Sequence, residues 1–205
     1  MKNSTPTPTD VIDYWIGDAA TDPEALGART KLWYGGGKET DDAIRERFGD
    51  ALSGAERGEL AAWRDTPDGC LALVILLDQF SRNLYRGTAK AFSNDAAAQE
   101  VARHALAQGF ERVLSPIGRA FLYHPFHHAE TLSDQQRCVS LYQALLDETP
   151  EPMKSHMNGF LTYAIEHHDV VARFGRFPHR NKVLGRESTP EEVAYLEAGA
   201  ARYGQ

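Results

Sequence analysis

Three stretches concentrate side chains that can carry chemistry. The first, residues 77–88, holds Asp78, Gln79, Arg82, Asn83 and Arg86. Asp78 and Arg82 are four residues apart, a spacing that pairs them along one helix face. The second, residues 123–130, packs His124, His127, His128 and Glu130 together. Imidazole and carboxylate suit zinc, iron or manganese. Pro125 is expected to stop the helix there, and the H-E-x-x-H pattern is absent, so no metal site is assigned. The third runs from Glu166-His167-His168-Asp169 into Arg176, His179, Arg180, Asn181 and Arg186. His168 lies four residues after Ala164 and three before Val171, which places it on the apolar face and turns His167 toward solvent.

The candidates for proton transfer are His128, Glu130, His168 and His179. Those for ligand binding are Asp78, Gln79, Arg82, Asn83, Arg176, Arg180 and Asn181. Guanidinium forks suit carboxylates and phosphates. If Arg82, Arg176 and Arg180 gather, their field draws a small anionic ligand, beside histidines able to exchange protons near neutrality. The same residues also serve as a buried polar network tying helices together. Two further readings remain open: a hydrolase-type enzyme using His and Glu, and a module that binds a protein partner or a second copy of itself. There is no G-x-S-x-G elbow, phosphate loop or dinucleotide fingerprint, and no cofactor is expected.

The elements positioning these residues read as helices nearly throughout. Asp10 is expected to cap a first helix from Val11 to Ile16. Thr40 is expected to cap another, with Ile44, Phe48 and Leu52 recurring every fourth residue. Gly54 breaks it, and a second helix runs to about Arg64. Thr66-Pro67 starts a helix whose run from Leu71 to Leu77 is apolar nearly all round, the pattern of a central core helix. Asn94 or Asp95 opens an Ala-rich helix ending at Gly109. Ser115-Pro116 opens a helix through Tyr123, and Ser133 caps the next in a capping-box spacing with Gln136. Pro152 begins a long helix to Phe174, with Met153, Met157, Phe160, Leu161, Ala164 and Val171 inward. Thr189-Pro190 begins the last. No segment alternates as a half-buried strand does.

The 205 residues carry 22 basic and 29 acidic side chains, a net charge of −7. That balance disfavours nucleic acid as a partner, and no apolar run is long enough to span a bilayer. One domain over 1–205 is expected, with 1–9 disordered. The polar amino terminus has no signal core, which points to the cytoplasm, and Cys70 and Cys138 read as buried reduced thiols.

The segments LDQFSRNLYRGTAKAFSND, FLYHPFHHAE and HHDVVARFGRFPHRNKVLGRESTPEE resemble the bacterial domain-of-unknown-function 924 family, over nearly the whole chain. Successive helices with short loops imply an antiparallel bundle or helical-hairpin stack in one domain, and the resemblance implies an all-helical, tetratricopeptide-like fold and no particular activity. The matching residues are Asp78, Gln79, Phe80, Arg82, Asn83, Arg86 and Gly87; Pro125, Phe126, His128 and Glu130; and His168, Gly175–Asn181, Gly185 and Arg186. At His124 and His127 the pattern is expected to be apolar.

Overall fold

The computed structural model describes residues 6–199, and among these the chain is all-helical with no strand. The first helix, α1 (Pro8–Trp15), starts earlier than expected. Thr7 caps it, and Asp10 closes a reciprocal capping box from the third helical position. Pro8 and Thr9 are therefore helical rather than disordered, while residues 1–5 lie outside the described residues. Next come α2 (Ala25–Tyr34) and α3 (Lys38–Glu56). α3 begins before Thr40 and runs through Gly54. It ends before Gly58, whose φ of +76° suits a residue without Cβ. The stretch toward Arg64 then forms a short 3₁₀ turn, Ala61–Asp65, in place of a second helix.

Thr66 caps α4 (Pro67–Val74), its hydroxyl accepting from the Gly69 amide. A Cβ on Gly69 would lie 2.0 Å from the Trp63 carbonyl oxygen, so this turn closes only around glycine. Without a break, α4 passes into a π-helical turn, Ile75–Phe80, and on into α5 (Ser81–Leu84). This rod is buried from Gly69 to Ser81, as its apolar run demands. Around it pack Trp15, Phe48 and Phe121, with Trp15 and Phe48 at 5.4 and 5.2 Å from the Phe80 ring.

Asn94 and Gly109 bound α6 (Asp95–Gln108), Gly109 in the left-handed region as a helix stop requires. Ser115 caps α7 (Pro116–His127), which does not stop at Pro125 but continues two residues past it. Proline forfeits one backbone donor and crowds the preceding turn; burial of nearly the whole helix holds the last turn in place. α8 (Leu132–Glu148) is preceded by Thr131, with Ser133 inside the helix rather than capping it. A two-residue link leads to α9 (Glu151–Phe174), so α8 and α9 form an antiparallel hairpin, against which α7 also packs. Tyr142 of α8 and Phe160 of α9 stack at 6.1 Å between the three helices. This side-by-side succession is compatible with a tetratricopeptide-like stack. α10 (Pro190–Glu197) closes the fold through a Thr189–Glu192 capping box. Its Tyr195 covers a small separate cluster of Val170, Val171, Phe174 and Phe177. Among the described residues no helix is long and apolar enough to cross a membrane.

Candidate functional site

A cavity of about 310 Å³ opens where the end of the central rod faces the last turn of α7, the middle of α9 and the end of α2. Its polar wall is Gln79, Arg82 and Asn83, at helical spacing on the rod, with Arg86 from the turn that follows it. Opposite stand His124, His127 and His128 of α7 and His167 of α9. Trp33, Tyr34, Phe160 and Tyr163 supply aromatic surface.

The π turn lies directly beneath the polar wall. The Ser81 amide donates to the Leu76 carbonyl, five residues back, and such wide turns concentrate at functional sites. The turn carries Asp78, which is wholly buried. Three side chains close around that carboxylate. His128 donates through Nδ1 at 2.8 and 3.0 Å to its two oxygens. Gln79 donates at 2.6 Å, and Arg82 pairs at 3.1 Å. The expected Asp78–Arg82 pair is thus present, but Arg82 also forks onto Asp95 at 2.9 and 3.0 Å.

The imidazoles are held in defined tautomers. A carboxylate or a carbonyl only accepts, so Nδ1 of His128, of His124 (2.8 Å from the Ala120 carbonyl) and of His167 (2.8 Å from the Tyr163 carbonyl) must each carry the proton. Tyr142 also donates to the Ala120 carbonyl, at 2.8 Å. His127 differs: it is buried, and among the described residues neither ring nitrogen has a hydrogen-bond partner. Its ring meets that of His167 edge-on at 3.9 Å and lies over that of His128 at 5.3 Å.

Burial is the main force on these groups. It holds His127 and His128 well below the ordinary imidazole range, lowers His124, and lowers His167 to about 3. Arg82 and the neighbouring histidines push His128 the same way. The cluster is therefore neutral at physiological pH, an array of lone pairs and fixed N–H donors.

The carboxy-terminal motif forms a second network. Arg176 grips buried Glu192 at 2.6 and 2.8 Å, and this pairing, with the capping-box amide of Thr189, lowers Glu192 to about 2. Asn181 donates to Ser188 and Glu192. Arg186 forks onto Glu130, which also accepts from the Phe177 amide at 2.8 Å. Burial opposes the charge on Glu130, but these bonds outweigh it and hold the carboxyl below its usual range. Arg180 joins the two networks. It donates to the His128 carbonyl at 3.0 Å and approaches Asp95 at 3.6 Å. Burial lowers even this guanidinium to about 10.

The sequence candidates thus divide. Gln79, Arg82, Asn83 and His128 line the cavity, with Asp78 behind them. Arg176, Asn181 and Glu130 belong to the second network. Arg82 and Arg180 do share Asp95, but Arg176 is turned to Glu192, so the three arginines do not gather around one ligand. His179 is half-buried beside Phe177 and lowered to about 4 by burial and by Arg180. His168 pairs with Asp169 at the surface, while His167 is the inward residue. Both positions fit an i+3, i+4 stripe between Ala164 and Val171, and the placement of α7 selects His167. His124 and His127, which fall outside the family pattern, also face the cavity; the i, i+3 and i, i+4 relations of His124 to His127 and His128 are the signal in the sequence. Trp33, Tyr34, Phe160 and Tyr163 gave none, because any core uses such residues. Among the described residues no group of three His, Cys, Asp or Glu side chains is arranged to hold a metal ion.

The sequence profile described as "Bacterial protein of unknown function (DUF924)" matches residues 11–200, and the chain belongs to that family. It is similar to a solved structure titled "Structure of Protein of Unknown Function ATU0120 from Agrobacterium tumefaciens". The two share 39% identity over 94% of this chain and 97% of the other, with a TM-score of 0.79. No curated protein matches the chain.

Proposed function

We propose that the chain binds a small, uncharged, polar molecule in the histidine-lined cavity. The observation that carries this reading is a concave site of about 310 Å³ in which three imidazoles, His124, His128 and His167, are held in fixed tautomers by partners outside it. Ligand sites of this size combine apolar walls with a few oriented polar groups, and here the walls are Trp33, Tyr34, Phe160 and Tyr163. An uncharged ligand is favoured over the anion first expected because the guanidinium groups around the site are already matched. Arg82 faces Asp78 and Asp95, and Arg86 faces Asp41.

For the carboxy-terminal motif a second reading is favoured, a network that locks α10 and the preceding loop onto α9. Its support is the match of each carboxylate to a donor: Glu192 to Arg176, Glu130 to Arg186.

A thermal-shift screen tests both. Neutral heterocycles, amides and polyols are compared with inorganic phosphate and simple carboxylates, on the parent, His128→Asn and Arg176→Ala. A ligand at 100 times its Kd stabilises by about 2.7 kcal/mol. The shift is expected with neutral compounds, lost in His128→Asn and kept in Arg176→Ala. A shift with phosphate alone, lost in Arg176→Ala, would restore the anion reading.

A further inference from the structure

We infer that His128, positioned by Asp78, is a general base that activates water against small uncharged acyl compounds in this cavity; the inference rests on the cavity being a ligand site. The described lining residues include no serine, threonine, cysteine or carboxylate. The described wall therefore offers no aliphatic hydroxyl, thiol or carboxylate; its hydroxyls are the phenols of Tyr34 and Tyr163, which stack on one another at 6.3 Å, and the attacking group in this inference is water. Among the described lining residues the basic lone pairs that can take its proton are those of the neutral histidines. His128 differs from the other three in having a carboxylate on Nδ1. A carboxylate there fixes the tautomer and stabilises the imidazolium once a proton arrives, whereas the carbonyls behind His124 and His167 offer only a dipole.

The step balances as follows. Nε2 of His128 takes a proton from water as the water oxygen bonds to the acyl carbon, and the carbonyl electrons move onto oxygen. When the carbonyl re-forms, the bond to the leaving group breaks and that group departs with the electron pair, protonated by the imidazolium when it is basic enough to need it. Gln79 and Asn83, on the cavity wall, each carry a second amide N–H beyond the one given to Asp78 and to Asp41, and these supply donors for the oxygen that becomes negative.

The unpartnered ring of His127 is an independent sign that the cluster is incomplete as it stands. A neutral imidazole has one donor and one acceptor, and leaving both buried and unmet is unfavourable. A bound polar molecule against His128, 5.3 Å from this ring, would complete it.

The probes are p-nitrophenyl acetate for hydrolysis and diethyl pyrocarbonate for access. The imidazole is faced by Asp78 and Arg82 from the rod, His124 and His127 from its own helix, His167 from α9 and Arg180 from the following turn. Hydrolysis by the parent is expected to persist as pH falls through 6.5 rather than halve there. It should drop about 100-fold in His128→Asn, the lower end of general-base effects, and recover in part when imidazole is added to His128→Gly. Asp78→Asn should lower kcat with little change in KM, and Arg176→Ala should match the parent. A parent no faster than His128→Asn overturns the assignment. Carbethoxylation mapped to His128 in that case would leave the ligand cavity standing and remove only the base; no modification would remove both.

Discussion

Arg180 donates to the backbone carbonyl of His128 at 3.0 Å across 52 residues of sequence. The guanidinium is almost wholly buried and rests against the rings of Phe177 and Phe92 at 4.3 and 4.6 Å. One side chain therefore joins the carboxy-terminal motif to the last turn of α7. Arg180→Met keeps the stem and removes the fork, leaving the His128 carbonyl without that donor and Asp95 with one cation fewer. Breaking a buried ion network from one side costs roughly 3–5 kcal/mol, and urea unfolding is expected to show a loss of that order.

The buried histidines set an acid limit on stability. The folded pKa values of His124, His127, His128 and His167 all lie below the unfolded value of 6.5, that of His167 at about 3. The unfolded chain thus binds protons that the folded chain refuses. Stability is full above about pH 6.5 and is lost as pH falls from there toward the folded values. Each group contributes up to about 1.4 kcal/mol per pH unit in that window. Melting temperatures between pH 7.5 and 4.5 are expected to fall steeply below 6.5. His127→Phe should flatten the slope, and an unchanged slope would mean His127 is already protonated in the folded protein.

Asp78→Asn tests the origin of the His128 tautomer. The carboxamide can present its own N–H to Nδ1, which would move the imidazole proton to Nε2. Nitrogen-15 spectra of the imidazole should report the exchange. Identical spectra would mean that Asp78 does not set the tautomer.

Gly69→Ala tests the close approach that seats the rod. Its methyl group would meet the Trp63 carbonyl oxygen at 2.0 Å, a backbone obstacle that cannot rotate away. A loss of at least 1–3 kcal/mol, the usual range for overpacking, is expected in denaturant unfolding. Gly159→Ala, where among the described residues nothing beyond its own helix backbone stands within 4 Å of the added carbon, should by contrast be neutral or slightly stabilising.

Single-residue signals place some helix ends and misplace others: Asp10, Thr40, Gly54 and Ser133 do not mark the ends expected of them. Thr66-Pro67, Thr189 with Glu192, and Gly109 fix helix ends through a single hydroxyl, ring or φ value, and these ends lie where the letters place them. Pro125 does not end α7, because its cost is local while the burial that outweighs it comes from other helices. The choice between His167 and His168 failed for a related reason, since a three-four spacing admits both and only the neighbouring helix distinguishes them. The Asp78–Arg82 pair is legible from its four-residue spacing, but the pairings between distant segments are not. Nothing near Arg176 in sequence indicates that Glu192 satisfies it, and nothing near Asp78 indicates that His128, 50 residues on, is its partner.

The π turn at Ile75–Phe80 makes the rod sensitive to chain length. A turn closed five residues back holds about one residue more than its α-helical counterpart. Deleting one residue within it, for example Leu76, would let the rod relax to regular α-helix with its backbone pairing intact. The two halves would then meet in a different rotational register. The apolar half could stay seated in the core while Gln79, Arg82 and Asn83 turned away from the cavity. A protein shortened in this way would retain its helix content yet lose the facing of its polar wall.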